Sequence, residues 1–250
     1  MKRILIITLA LLSLVLNVSA KIHTIGDSTM ADYDQAEPDQ KGMYGWGQVF
    51  GDYFCNGMTV KNWGDRGESA RSFYRKFWPK VRTEIKKGDY VLIQFGHNDQ
   101  KSVTTDVYRE YLSRFICETR ELGATPILVT SICRKLFEGT KISRLGRIDN
   151  GKAHGVDENN HTYDYPYHMK KVADSLKVEC LDLTTACKEY MESWGPEGCK
   201  QFFPSGGSTH TNELGARVNA QLVAQLMYKA NILKKYINIS QISLPRNNGK

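Results

Sequence analysis

The sequence predicts a three-layer α/β domain built on a five-stranded parallel sheet. Short apolar runs, rich in β-branched residues, stand at 22–25, 58–61, 90–95, 126–131 and 178–183, and each has the length of a strand. Amphipathic or polar stretches separate them. Parallel neighbours need crossover connections, and right-handed crossovers lay helices on both faces of the sheet.

The chain opens on Lys2 and Arg3, an apolar stretch from Ile4 to Leu16, and the small-residue end Val18-Ser19-Ala20. This pattern is that of an export signal cut after Ala20, and the stretch is short for a spanning helix. Residues 1–20 are therefore read as a signal peptide, 21–244 as one domain and 245–250 as a disordered tail. The location expected is the periplasm or the extracellular space. The net charge of +7 falls to +5 without Lys2 and Arg3. No dense basic run accompanies it, which argues against a nucleic-acid partner. Nothing later is apolar for long enough to span a bilayer, so no membrane partner is expected after cleavage, and a monomer is expected.

Between the third and fourth runs, Tyr108, Tyr111, Leu112, Phe115, Ile116 and Leu122 recur near helical spacing, with charged residues largely elsewhere. This is an amphipathic helix. A polar excursion rich in Gly, Asn and charge follows at 134–165. A last helix is predicted by Leu214, Val218, Leu222 and Leu226, with Thr211 and Asn212 placed to cap it. The six cysteines, at 55, 117, 133, 180, 187 and 199, have irregular spacings and no CxxC pair, so they predict no metal site. Cys117, in an apolar helical pattern, and Cys133 and Cys180, in or beside strands, read as small core residues, and Cys187 with Cys199 as the pair to be bridged.

In parallel sheets functional groups collect at the carboxyl ends of the strands. Four segments draw notice there: Gly26-Asp27-Ser28-Thr29, Gly64 to Ser69, Gly96-His97-Asn98-Asp99, and Ser208-Thr209-His210-Thr211-Asn212. A serine nucleophile needs a base within hydrogen-bond reach and donors aimed at the oxygen that becomes negative. Ser28 offers the hydroxyl, His210 the imidazole, Gly67 a backbone N–H and Asn98 a side-chain amide. Asp27 is expected to support the nucleophile turn and His97 to be structural. Arg134, following the fourth strand, is a candidate to bind a uronate carboxylate in bidentate fashion, ahead of Arg71. Trp63 or Trp46 could stack on a sugar ring, whereas the other aromatics read as core.

These four segments, in this order, resemble the conserved blocks of the SGNH (GDSL) hydrolases. Gly45-Trp46-Gly47-Gln48, Glu68 to Phe73 and Thr209 to Glu213 are similar to the rhamnogalacturonan acetylesterase branch. The resemblance implies a flavodoxin-like fold and removal of acetyl groups from pectic polysaccharide with no metal or cofactor. It makes Ser28 the nucleophile, His210 the base, and Ser28, Gly67 and Asn98 the oxyanion hole. One position departs from the pattern. These enzymes carry Asp three residues before the histidine, and here that residue is Gly207. A backbone carbonyl or another carboxylate, with Glu213 and Asp65 the candidates, would have to orient His210; otherwise the protein is impaired. The expected function is a secreted pectin acetylesterase. The alternatives are an esterase for another acetylated glycan or acyl ester, and a carbohydrate-binding relative with a disabled triad.

Overall fold

A computed structural model describes residues 20–143, 161 and 163–247. All of the expected export segment but Ala20, and residues 144–160 and 162 of the polar excursion, lie outside the described residues. Each predicted strand forms: β1 Lys21–Gly26, β2 Thr59–Asn62, β3 Tyr90–Gln94, β4 Thr125–Val129 and the edge strand β7 Glu179–Leu181. Between the last two comes a short antiparallel pair, β5 Phe137–Glu138 and β6 Lys141–Ile142, which the sequence did not announce.

The five strands pair in parallel in the order β2-β1-β3-β4-β7. The chain reverses its direction of travel across the sheet between β1 and β3, and ligand crevices open at such a switch point, beyond the carboxyl ends of the strands. Both faces are covered. Leu92, Ile127, Val129 and Leu181 pack with α1 (Trp46–Val49), α7 (Leu183–Gly198) and α8 (Glu213–Lys229). Val91, Ile93 and Leu128 face the other way, toward α2 (Ala70–Lys76), α3 (Trp78–Glu84), α5 (Thr105–Glu121) and α6 (Tyr165–Leu176). Side chains alternate along a strand, so two covered faces require an unbroken apolar run rather than an alternating one. On the second face Phe73, Phe95, Phe115 and Trp78 form an aromatic cluster with neighbouring rings 5.0–6.3 Å apart, each such pair adding about 0.5–1.5 kcal/mol beyond burial.

The helix predicted around Phe115 is α5, capped by the Thr104 hydroxyl, which accepts from the Val107 N–H. The last helix is α8, and of the two predicted caps Asn212 serves, its Oδ1 accepting from Gly215 N at 3.0 Å. Its buried face is wider than the leucine spacing: Val218 and Leu222 are buried and Leu226 packs against the core as predicted, Leu214 is 40% exposed, and Ala216, Ala220, Val223 and Met227 are buried as well. Small residues let α8 lie close to α1 and α7, which a search for large apolar residues overlooks.

The expected Cys187–Cys199 bridge is absent. All six cysteines are free; Cys187 turns instead to Cys133, with the sulfurs 3.2 Å apart, and the Cys199 thiol donates to the Met191 carbonyl. The stretch read as helix end plus loop is the end of α7, which breaks at Gly195 (φ 66°), followed by a tight helical turn over Cys199–Phe202, and Cys187 lies on the buried side of α7. Of the tail, residues 245–247 are exposed and without regular structure, with Tyr190 donating to the Pro245 carbonyl and Asn247 to the Ser193 carbonyl; residues 248–250 lie outside the described residues.

Candidate active site

Ser28 sits in one helical turn after β1, in which the N–H groups of Met30 and Ala31 both donate to the Asp27 carbonyl. A buried relay braces this turn. Asp27 Oδ1 accepts from Thr29 N at 2.9 Å and from the Thr29 hydroxyl at 2.8 Å. Gln94 Nε2 donates to that hydroxyl at 2.7 Å, and Trp46 Nε1 donates to Gln94 Oε1 at 2.5 Å. The turn is thus tied to the last residue of β3 and to α1, and burial strengthens each bond. Burial pushes the Asp27 carboxyl up to about 6, against the pull of the Thr29 donors. Asp27 is a brace, as its place beside Ser28 predicts.

His210 reaches Ser28 from the far end of the chain. It precedes α8, and the backbone at 44 and 211 pairs as an isolated antiparallel bridge, with Tyr44 N donating to the Thr211 carbonyl at 2.8 Å. Gly215, in the first turn of α8, lets this segment close on the chain behind it: a Cβ there would stand 2.2 Å from the Phe202 carbonyl oxygen. The result is His210 Nε2 at 3.0 Å from Ser28 Oγ, hydrogen-bond distance for a nucleophile and its base.

Gly67 and Asn98 join them in an open cleft of about 730 Å³, which Arg134 also lines. Gly67 has φ of 77°, and a Cβ there would meet nothing within 4 Å, so it is the left-handed backbone and not space that favours glycine. Asn98 Nδ2 donates one proton to the Glu68 carbonyl at 3.1 Å, and its second proton can be offered to a ligand. A cleft of similar volume, about 750 Å³, is lined by Tyr90, Tyr228, Lys235 and Tyr236 with others, none of them Ser, His, Asp or Glu; it lacks a nucleophile–base pair.

The electrostatics around His210 are one-sided. Among the described residues no carboxylate oxygen comes within 4.0 Å of its ring nitrogens. Burial, and then the charges of Lys101, Arg134 and Arg66, push the imidazole below its ordinary range. Nε2 must be unprotonated to accept from Ser28 Oγ, so Nδ1 carries the proton. The ring lies edge-on to Tyr33, with centroids 6.2 Å apart. The substitute carboxylates considered for Gly207 are occupied elsewhere: Glu213 Oε1 accepts from Arg217 Nε and Nη2 on the next turn of α8, and Asp65 Oδ1 accepts from the Arg66 N–H.

Of the candidates for substrate contact, Arg134 lies in the cleft and Trp63 does not. The Trp63 indole N–H donates to His23 Nδ1 at 3.1 Å, its ring stacks on His23, and Lys61 covers it at 4.0 Å. His23 in turn pairs with buried Asp89, so Trp63 is engaged in the sheet's own buried polar cluster. Trp46 is wholly buried, and Arg71 donates to the Ser102 carbonyl. The sequence reading missed Tyr33, Met43, Arg66, Lys101 and the wall 204–206. Lys101 was within reach of inference, since it falls one helical turn after Asn98; Arg66 directly precedes Gly67. Tyr33 and Met43 left no signal, because their arrival depends on how the loop before α1 folds.

The family model of the GDSL-like lipases and acylhydrolases matches residues 24–218. A rhamnogalacturonan acetylesterase of Bacillus subtilis, RhgT, is 37% identical in an alignment of 222 positions that covers 82% of this chain and 88% of RhgT. The crystal structure of YxiM from Bacillus subtilis superposes with a TM-score of 0.70 at 25% identity, over 85% of this chain and 57% of that one. An acetylxylan esterase from Geobacillus stearothermophilus, Axe2, shares the fold with a TM-score of 0.57 at 18% identity, over 92% of this chain and 98% of its own. With the matched segment running from β1 into α8, this chain belongs to the GDSL-like lipase/acylhydrolase family and is a hydrolase of ester bonds.

Proposed function

We propose that the protein is an exported serine carbohydrate esterase that removes O-acetyl groups from pectic polysaccharide, with rhamnogalacturonan as its main substrate. The observation that carries this reading is the 3.0 Å approach of His210 Nε2 to Ser28 Oγ at the mouth of the cleft. The similarity to RhgT supports the substrate class. So does the cleft lining, in which Met43, Tyr33 and Pro204 are the main apolar contributions among cations, hydroxyls and glycines; it suits a short acyl group on a polar chain better than a lipid.

In this reading Ser28 Oγ attacks the acetyl carbonyl while His210 Nε2 takes its proton. The oxyanion receives hydrogen bonds from the backbone N–H groups of Ser28 and Gly67 and from the second proton of Asn98 Nδ2. Collapse expels the sugar oxygen, which takes its proton from His210. Water, activated by the same imidazole, then releases acetate from acetyl-Ser28.

Acetate release from acetylated rhamnogalacturonan and from an aryl acetate, by wild type and Ser28→Ala, tests the proposal: activity in the former and none in the latter is expected. Silence of the wild type on both would sink it. Gly207 favours one second reading, a glycan-binding protein with a disabled triad, which predicts pectin binding by both proteins and acetate from neither.

A further inference from the structure

Two buried thiols meet one residue away from Arg134 of the cleft. Cys133 lies in the loop after β4 and Cys187 in the second turn of α7, and their sulfurs stand 3.2 Å apart. Their meeting is fixed by the backbone around them. Thr184, one helical turn before Cys187, donates its N–H to the Thr130 hydroxyl at 2.9 Å and its own hydroxyl to the Ser131 carbonyl at 2.5 Å. All three residues are buried, where such bonds are strongest. The start of α7 is therefore docked on the loop in one register, and that register sets Cys187 against Cys133. The other cysteines are placed differently. Cys199 donates to the Met191 carbonyl and Cys55 to the Tyr236 carbonyl, Cys180 is half-buried on the edge strand, and Cys117, expected in the core, is exposed on α5.

We propose that Cys133 and Cys187 are joined by a disulfide when the chain folds in an oxidising compartment, and that this bond braces the loop after β4 on which the cleft is built. The inference rests on the exported part of the proposed function and not on its ester chemistry. A disulfide holds its sulfurs about 2.0 Å apart, so the pair has only about 1 Å to close from 3.2 Å. The neighbour that must give way is Met191, with its Sδ 3.1 Å from Cys133 Sγ and 3.9 Å from Cys187 Sγ, and methionine repacks readily. The chemistry is thiol–disulfide exchange with an oxidant that is itself a disulfide, either a small molecule or a protein. One cysteine thiolate attacks a sulfur of the oxidant and expels its first thiol; the second cysteine then attacks the mixed disulfide and expels the other. The two cysteines lose two protons and two electrons, and the oxidant's disulfide is reduced to two thiols. Burial pushes the Cys133 thiol well above its ordinary range, so thiolate is scarce in the finished fold and the bond forms while α7 is still docking. The same burial then shields it from reductants, which makes it a staple rather than a switch. The loop it fixes carries the site. Ser131 donates to the Phe95 carbonyl at 2.9 Å, just ahead of His97, Asn98 and the short helix α4 (Asp99–Ser102). Lys135 N donates to the Ser208 carbonyl at 2.7 Å, two residues before His210.

The test needs no substrate. The full chain is recovered after export by its own leader and, separately, refolded from the reduced, unfolded state in a buffer of reduced and oxidised glutathione. Each sample is unfolded without reductant, alkylated and mapped by peptide mass spectrometry. Of the six cysteines, Cys55, Cys117, Cys180 and Cys199 should be alkylated, and Cys133 and Cys187 should appear in one cross-linked peptide pair that reduction separates. Six alkylated cysteines in the refolded protein, or a cross-link between any other pair, would overturn the inference. So would one equivalent of a soft metal ion held by Cys133, Cys187 and Met191 with both thiols unoxidised. A chain that stays inside the cell, while the refolded sample shows the pair, overturns only the export reading, and a bridged protein that releases no acetate overturns only the esterase reading. A second readout is the melting temperature with and without excess dithiol. The reduced protein should melt roughly 5–15 °C lower, the usual effect of a native disulfide in a chain of this size, and the difference should vanish in the double variant Cys133→Ala, Cys187→Ala. Equal melts of the wild type, or a difference that persists in the double variant, would overturn the bracing role. The mapping of the wild type decides the bond even where the double variant does not fold.

Discussion

The phenolic hydroxyl of Tyr33 donates to the backbone carbonyl of Ser28 at 2.8 Å. Through this bond the loop before α1 holds the nucleophile's own peptide, and the same ring meets the edge of His210. Tyr33 thus positions both members of the pair. Tyr33→Phe keeps the ring and removes the bond, which is worth about 0.5–1.5 kcal/mol. We expect kcat to fall roughly three- to tenfold with KM little changed, and thermal stability to drop modestly; steady-state kinetics and a melt of the same preparation check both. Loss confined to stability would make Tyr33 a packing residue only.

Asn98 holds one amide proton on Glu68 and presents the other to the cleft. Asn98→Ala should lower kcat by about a hundredfold or more, the usual effect of losing one oxyanion donor, while KM changes little. A rise in KM at constant kcat would instead place Asn98 among ground-state binding contacts.

Gly207→Asp restores the residue type missing from the pattern. Its backbone is not in the left-handed region, and the new Cβ would stand 3.1 Å from the Pro204 carbonyl oxygen, so a shift of a few tenths of an ångström admits it. A carboxylate near the ring favours its charged form. On an aryl acetate the variant should show kcat/KM about tenfold higher or more, and an acid limb moved to higher pH. Unchanged pH dependence would mean that the new carboxylate does not reach His210.

Asp99 is buried under the site, its Oδ1 accepting from Ala70 N at 2.9 Å. Burial, with Asp27 nearby, pushes its carboxyl up to about 8, against about 3.9 in an unfolded chain. Between those values the folded state binds more protons, so this contribution to stability is full below about pH 4 and is lost as pH rises through the folded value. Asp99→Asn keeps an accepting oxygen and cannot ionise. Its Tm relative to wild type should therefore climb steadily from about pH 5 to about pH 9, as followed by circular dichroism. A difference independent of pH would show Asp99 ionising without penalty.

The sheet was legible because strands covered on both faces must be apolar throughout, and the runs around Leu92 and Leu128 say so without any partner in view. Helix α5 was legible through one broad aromatic stripe. Helix α8 was legible in place and, through Val218 and Leu222, in part of its buried face; Ala216 and Ala220, which widen that face, mark closeness rather than hydrophobicity. Trp63 was misplaced for a related reason: a large aromatic after a strand suits a cleft and a core equally, and only the position of His23 and Asp89 assigns it.

By itself the sequence determined the parallel α/β class, marked Ser28, Gly67, Asn98 and His210 as candidates through their resemblance to the family's blocks, and showed the missing carboxylate at 207, because each is a matter of residue type at a given place in the chain. Only the tertiary structure decided that Ser28 and His210, 182 residues apart in sequence, stand 3.0 Å from one another. It also brought Tyr33 under the nucleophile and gathered Lys101, Arg134 and Arg66 around the base. Such meetings depend on the sheet order and on close approaches such as that of Gly215 to Phe202. Charge acts through space, so the field at His210 is a sum over groups whose distances no local pattern contains.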